Sequence, residues 1–173
     1  RSQEEQIQIQ RERQKVSDEL KRQQGIEADR TLQERTRQQK LTELQSQKAK
    51  ISSTISLIRQ QKTELDSLYQ SKITLLSNRK NTELVNLEAL YKRTLDSVGD
   101  DYGRRGLGLS GAFTKVKEDL LAAYSSDKSS IANYYDGTTN ILVSERNIKL
   151  LDVDIQIRGL EDELSALNRE LSQ

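Results

Sequence analysis

Seven apolar residues near the end of the chain recur at alternating steps of three and four residues. The row consists of Leu150, Val153, Ile157, Leu160, Leu164, Leu167 and Leu171. This spacing places all seven side chains on one face of an α-helix, and three heptads without an interruption are typical of a coiled coil. The sequence therefore predicts that this face is a packing core against other helices, either in the same chain or in another copy of it.

A longer row with the same spacing lies in the first half of the chain. The members that we assign to the packing core are Leu44, Ile51, Ile55, Ile58 and Leu65. Lys48 and Lys62 interrupt this row. The step pattern shifts at Tyr69–Leu76, as it does at a stutter, and resumes from Leu84. We expect a long helix with one change of register.

The composition leaves few alternatives to helices. The 173 residues include no Pro, Cys, Met, His or Trp, and 32% of them are charged against 33% hydrophobic. Such a chain can fill a thin seam between helices but not a thick core. We predict an all-α fold built from a long coiled-coil helix, a glycine-rich junction, a mid helix and a terminal heptad helix.

Breaks in the pattern divide this predicted fold into five segments. The first is rich in Gln, Arg and Glu, and its heptad positions are mostly polar, so it is either a solvated helix that orders only against partners or a coiled coil with a polar core. The mid helix is expected to end in a turn at Tyr134–Asn140, where Asp136 and Gly137 are turn-forming residues. The segments are residues 1–40, the coiled-coil helix 41–98, the junction 99–111, the mid helix and turn 112–138, and the terminal helix 139–173.

Three glycines of the junction have the spacing of a dinucleotide-binding turn. Gly106, Gly108 and Gly111 spell G-x-G-x-x-G. A dinucleotide-binding turn follows a buried strand, whereas an amphipathic, charged stretch, LYKRTLDSVGDDYGRR, precedes these glycines. We therefore predict a junction between two helices, with Ser110 as the N-cap of the second.

Two arginines next to this junction are candidates for contact with an anion. Arg104 and Arg105 precede the N-terminus of the next helix, whose free backbone N–H groups favour phosphate or carboxylate. The alternative is that both side chains face water or bind Asp100 and Asp101.

The missing residue types also exclude chemistry. Without His or Cys the chain has no Cys/His zinc site, no thiol nucleophile and no Ser–His pair. The D-x-[DN]-x-[DN]-G pattern of a calcium loop is absent as well. We expect no catalytic residue, no metal site and no cofactor, and hence no enzyme.

Charge and hydropathy restrict the partners. Residues 1–50 carry 12 basic and 9 acidic groups, whereas residues 139–173 carry 4 basic and 7 acidic groups. This asymmetry fits a terminal helix that folds back on the long one as an antiparallel hairpin; association of several copies, for example as a symmetric trimer, is the alternative. The interspersed Glu residues argue against a nucleic-acid partner. No apolar run has the length of a membrane span.

One short motif resembles a known family. The stretch Arg105–Gly111 reads R-G-L-x-x-S-G and resembles a helix-to-helix junction of coiled-coil virion proteins of tailed bacteriophages. The Gln/Arg/Glu-rich helix before it is similar in character. The resemblance implies a structural part of the tail, neck or injection apparatus, present in symmetric copies and located in the virion.

These observations favour a non-enzymatic structural assembly protein that associates with itself and with other structural proteins of the same complex. Two alternatives stay open. A cellular coiled-coil tether or adhesin stalk would use the same apolar seams outside a virion. A DNA-contacting ejection protein would use residues 1–50 on the phosphate backbone, and its binding would weaken steeply with salt.

Overall fold

The computed structural model describes residues 2–173, and these residues form two α-helices. Helix α1 spans Gln3–Arg104 and helix α2 spans Gly111–Ser172. No strand occurs anywhere in residues 2–173. The predicted all-α class is therefore confirmed. Good helix formers dominate both elements, and no proline interrupts them.

The link between the helices is shorter than predicted. α1 continues beyond Val98 to Arg104, so the non-helical link consists of residues 105–110 and Gly99 lies inside the helix. Gly106 has φ 73°, a left-handed conformation that glycine adopts without a steric cost. The N–H of Leu107 donates to the carbonyl of Tyr102 at 2.8 Å, and that of Gly106 donates to Gly103 at 3.1 Å. This pair of bonds is the Schellman arrangement that ends a helix.

α2 begins at a side-chain cap. The N–H of Phe113 donates to the hydroxyl oxygen of Ser110 at 3.1 Å. This bond satisfies one of the backbone donors that have no partner in the first turn of a helix. Ser110 thus has the geometry of an N-cap, and the junction is the place where one helix ends and the next begins.

The predicted second break is wrong. Residues 134–140 are helical throughout, so the expected mid helix and terminal helix are one continuous helix. Asp136 and Gly137 favour turns, but this local preference is small. It is outweighed because Tyr135 is buried and Asp136 pairs with Lys80 of α1, and both contacts require the helix to continue.

The chain folds as two compact units, each built from parts of both helices. The first contains the residues up to Ser56 together with Gly159–Gln173, and the second contains Leu57–Arg158. In the first unit, the end of α2 at Leu171 lines a groove of about 910 Å³ together with Leu41 and Leu44 of α1. In the second unit, the helices are antiparallel, since Lys62 pairs with Asp154 and Tyr102 stacks on Phe113.

Burial in the second unit follows an 11-residue repeat. From Leu65 onward the covered residues of α1 recur at steps of four, four and three. They are Leu65, Tyr69, Ile73, Leu76, Lys80, Leu84, Leu87, Tyr91, Leu95, Val98 and Tyr102. The row on α2 has the same steps and is covered except at Asp127. It consists of Phe113, Val116, Leu120, Tyr124, Asp127, Ile131, Tyr135, Thr138, Leu142 and Arg146. Because 11 residues over three turns give 3.67 residues per turn, this repeat keeps one face of a nearly straight helix turned toward its neighbour.

Candidate interaction surfaces

The twelve residues predicted as packing core all lie on covered faces of the helices. Ile55 and Ile157 are buried, with 5% and 7% of their surface exposed. The other ten are half-buried. In the second unit these are Ile58, Leu65, Leu150 and Val153, and in the first unit they are Leu44, Ile51, Leu160, Leu164, Leu167 and Leu171. Of the two arrangements left open by the sequence, the second unit adopts the antiparallel hairpin.

Two layers of stacked aromatic rings cross the hairpin of the second unit. Tyr102 stacks on Phe113 with ring centroids 5.2 Å apart, and Tyr91 stacks on Tyr124 with centroids 4.7 Å apart. Eleven residues separate the two layers on each helix, which is roughly 16 Å of helix at 1.5 Å per residue. Offset ring stacking adds to the stability that burial alone provides.

The next layer along the repeat is polar on one side. Tyr135 occupies the α2 position and is 6% exposed. Its hydroxyl donates to a carboxylate oxygen of Glu83 at 2.7 Å. This hydrogen bond, followed by burial, raises the pKa of Tyr135 above its ordinary value, because an ionised phenol could not donate to the carboxylate. Lys80 occupies the α1 position and pairs with Asp136 at 2.8 Å.

The fourth layer is centred on Tyr69, which is more buried than Ile55, Tyr135 or Ile157. Tyr69 is 2% exposed, and the Nζ atoms of Lys72 and Lys149 each lie 5.4 Å from its ring centroid. Contact with the Tyr69 hydroxyl raises the pKa of Lys149. At the same level, the guanidinium Nε of Arg146 donates to a carboxylate oxygen of Asp66 at 2.6 Å. The layer therefore combines an aromatic core with charge pairs at its edge.

These polar contacts specify how the two helices are aligned. Three ion pairs join α1 to α2 within the second unit: Lys62 with Asp154, Asp66 with Arg146, and Lys80 with Asp136. Each pair is partly exposed, so its contribution to stability is modest. A shift of one heptad would break all three pairs and the stacked rings together. Their value is therefore in fixing direction and register.

The sequence analysis missed the 11-residue spacing of these layers, although a signal for it was present. Tyr69, Tyr91 and Tyr102 are separated by multiples of eleven residues, and the same holds for Phe113, Tyr124 and Tyr135. Against a heptad, these residues appear as a disturbance of register. Counted against eleven residues, they form one position of a regular repeat.

The two arginines beside the junction contact α1 itself. The guanidinium of Arg105 lies 3.1 Å from the carboxylate of Asp101, and Nε of Arg104 donates to the carbonyl of Asp100 at 3.4 Å. Both side chains are exposed. Contact with an anion stays a prediction for this pair. Gly108 and Gly111 are likewise exposed and lie within or directly after the link.

Across residues 2–173 no group of three or more His, Cys, Asp or Glu side chains is placed to hold a metal ion. Neither α1 nor α2, over that part of the chain, contains an apolar stretch long enough to cross a membrane.

The longest run of exposed residues in the described part of the chain is the first part of α1. Every residue from Ser2 to Glu43 is exposed. Large apolar side chains nevertheless recur along it, with exposed fractions of 37% to 69%. They are Ile7, Ile9, Val16, Leu20, Ile26, Leu32 and Leu41. We call residues 2–43 the uncovered segment.

A second uncovered surface lies on α2 in the second unit. Ile141, Ile148, Leu151 and Ile155 are 57% to 62% exposed. In the sequence these four residues form a second apolar stripe beside the row that begins at Leu150. Apolar side chains that remain exposed in a row are typical of surfaces that bind other proteins.

Comparison with protein-family models, with curated proteins and with solved structures finds no match for this chain. Function must therefore be argued from the two helices and their surfaces.

Proposed function

We propose that this chain is a non-enzymatic structural protein and that it forms a helical, coiled-coil part of a larger assembly. The observation that carries the proposal is the uncovered segment of α1, in which seven large apolar side chains remain exposed. An isolated helix gains little stability in water from its own backbone, and most helices in proteins are stabilised by packing. A helix segment of this length is well suited to pack against helices of other subunits.

The exposed stripe on α2 supports the same function. Ile141, Ile148, Leu151 and Ile155 offer a second face, distinct from the seam that joins the two helices. Burying each such side chain contributes about 1.5–3 kcal/mol at most, so a few of them are enough for a specific contact. A subunit with two such surfaces can link two neighbours, as a component of a repeating assembly must.

The setting that we propose is the virion of a tailed bacteriophage, in the tail, neck or injection apparatus. The support is the resemblance of Arg105–Gly111 to a helix-to-helix junction of phage virion proteins, together with the Gln/Arg/Glu-rich helix before it. The Schellman turn at Gly106 and the Ser110 cap give this motif a structural role that suits such a junction.

Mass spectrometry of phage particles tests this proposal. Particles from the source of the chain would be purified on a density gradient and washed at high salt. We expect the chain to remain with the particles in several copies per particle. Recovery only from the cell fraction would contradict the virion setting.

A variant tests the surface that carries the proposal. Replacing Val16 and Ile26 by Ser should abolish incorporation into particles without changing the thermal unfolding of the hairpin. The matched control is Ser17→Ala on the same segment, which should be incorporated normally. Incorporation of the Val16→Ser, Ile26→Ser variant at the wild-type level would show that this face is not used.

A further inference from the structure

The uncovered segment continues the same heptad row that is covered further along α1. Its row consists of Leu20, Gln23, Glu27, Arg30, Glu34, Arg37 and Leu41, and it leads directly into Leu44, Ile51 and Ile55. The later members are half-buried or buried, whereas those up to Leu41 are exposed. One face of α1 is therefore uncovered up to Leu41 and covered from Leu44 onward. The Glu and Arg residues of the row all lie in the uncovered part.

The charges along this row have a symmetry that points to the occupant. Glu27 and Arg37 lie five residues before and after Leu32, and Arg30 and Glu34 lie two residues before and after it. If a second copy of the segment runs antiparallel and the pairing is centred at Leu32, each Glu faces an Arg. The four charged positions form two pairs of opposite charge, and the symmetry of the dimer doubles them to four.

Other pairings of the same two segments have less of this complementarity. In a parallel dimer each core residue faces its own copy, so Glu27 would lie opposite Glu27 and Arg30 opposite Arg30. Each antiparallel register shifted by one heptad keeps only one kind of Glu–Arg pair, and it places Arg37 opposite Leu20, or Arg30 opposite Leu41. Charged residues at core positions of coiled coils disfavour such mismatches and thereby select one partner orientation.

The space available matches this register. Residues 23 and 41 lie nine positions before and after Leu32, and the whole range between them is exposed. Beyond it, Leu20 of one copy comes level with Leu44 of the second. There the end of α2 leaves the groove of about 910 Å³, in which Leu41, Leu44 and Leu171 lie among polar side chains that include Glu34 and Arg37. An apolar side chain that enters this groove supplies the burial that the charged pairs lack.

We propose that residues 23–41 bind the same segment of a second copy of this chain, antiparallel and centred at Leu32, with Leu20 of each copy in the groove at Leu44 and Leu171 of the other. The contact is isologous, since each copy offers the same surface to the other. This inference rests on the proposed function in that it names the partner of the uncovered segment. The charged pairs set direction and register, and the Leu20 contacts provide affinity.

Charge reversal tests the pairing. The variant Glu27→Arg, Glu34→Arg has four Arg residues in the row, and the variant Arg30→Glu, Arg37→Glu has four Glu residues. In sedimentation velocity up to about 200 µM, each variant alone should dimerise at least about tenfold more weakly than wild type. An equimolar mixture of the two should recover association to within about threefold of wild type. Matching circular dichroism melts would confirm that both variants keep the hairpin.

Cross-linking tests the direction. The chain contains no cysteine, so single cysteines react selectively. In the proposed register Gln24 of one copy lies beside Gln38 of the other, whereas in a parallel dimer these residues are roughly 21 Å apart along the helix. A short bismaleimide linker should join a mixture of Gln24→Cys and Gln38→Cys much faster than either variant alone. The control Asp29→Cys, on the outer face of the helix, should cross-link slowly.

The outcomes separate this inference from the proposed function. A chain that stays monomeric at 50 mM salt, or cross-links that form within each single variant, would overturn the antiparallel pairing. Incorporation into phage particles would be unaffected by that result and would still support the structural role. Conversely, an antiparallel dimer that is absent from particles would uphold the pairing and reject the virion setting.

Discussion

The rings of Tyr91 and Tyr124 stack across the two helices, with centroids 4.7 Å apart and planes inclined by 17°. This pair is one layer of the 11-residue repeat that also places Tyr102 on Phe113. Large side chains thus recur once per three helical turns on both helices. The repeat explains how a chain with few apolar residues aligns the two helices of the second unit. Its aromatic rings lie in the layers where the two helices contact each other.

The stacked pair should be a main contributor to the stability of the second unit. Tyr91→Ala should lower the free energy of unfolding by about 2–3 kcal/mol, because it removes a half-buried ring from the seam. In a double-mutant cycle of Tyr91→Leu and Tyr124→Leu, we expect a coupling of about 0.5–1.5 kcal/mol from the stacking itself. Urea unfolding followed by circular dichroism measures both quantities.

The control for this cycle pairs Tyr91 with Tyr135, which lies in the adjacent layer. Because these two side chains are separated by roughly 16 Å of helix, their effects should add within about 0.5 kcal/mol. A coupling between Tyr91 and Tyr135 as large as that between Tyr91 and Tyr124 would contradict the layered arrangement.

The pair of Asp66 and Arg146 should act on alignment more than on stability. Arg146→Asp places two carboxylates together and should destabilise the hairpin by about 1 kcal/mol. Adding Asp66→Arg restores opposite charges and should recover most of that loss. Thermal unfolding at low and high salt reports the effect, and the difference between the variants should shrink as salt screens the charges.

The exposed intrahelical pair of Glu88 and Lys92 is the matched control for this swap. Its atoms are 3.3 Å apart and its side chains are 52% and 69% exposed. Reversing Lys92 to Glu should cost about 0.5 kcal/mol or less. Equal effects at Lys92 and Arg146 would mean that the contact between the helices has no special role.

The sequence revealed the parts of the fold in which a single period is repeated without interruption. The Leu150 row is read directly, because each member is Leu, Ile or Val and the steps never change. The 11-residue period was missed because the steps at Tyr69–Leu76 appear as a shift of register against a heptad, and because the charged Lys80 occupies a core position. The aliphatic part of a Lys side chain is covered at a core position only where the opposite helix packs against it. The sequence pattern of one helix does not show whether that happens.

The false turn at Asp136 and Gly137 has a different cause. Both residues favour turns through local preferences of about 1 kcal/mol or less, whereas burial of Tyr135 and its bond to Glu83 act between helices. For the uncovered segment, helical periodicity predicted a polar row but not the partner. The charge symmetry around Leu32 is present in the sequence. Only the structure shows that α2 ends beside Leu41 and Leu44 and leaves these charged positions uncovered.

Glycine substitutions distinguish the true junction from the false one. Gly137 lies in the middle of α2 with open space where a Cβ atom would be, so Gly137→Ala should stabilise the chain by about 0.5–1 kcal/mol. Gly106 has φ 73°, and Gly106→Ala should destabilise it by about 1–2 kcal/mol. Chemical denaturation measures both changes. A destabilising Gly137→Ala would indicate that a turn forms there after all.

Tyr135 should make the hairpin sensitive to alkali. Its pKa is raised above the ordinary value of 10.0 in the folded chain by the bond to Glu83, so the phenol ionises more readily in the unfolded chain. Its contribution to stability is therefore complete below pH 10 and is lost as the pH rises through the raised pKa. Lys149, with a pKa raised above 10.5 through Tyr69, acts in the same direction.

Melting temperatures from pH 8 to pH 11.5 should fall more steeply above pH 10 for wild type than for Tyr135→Phe. Tyr134→Phe, which removes the hydroxyl of an exposed neighbour, should retain the wild-type slope, and identical slopes for all three chains would rule out this role of Tyr135.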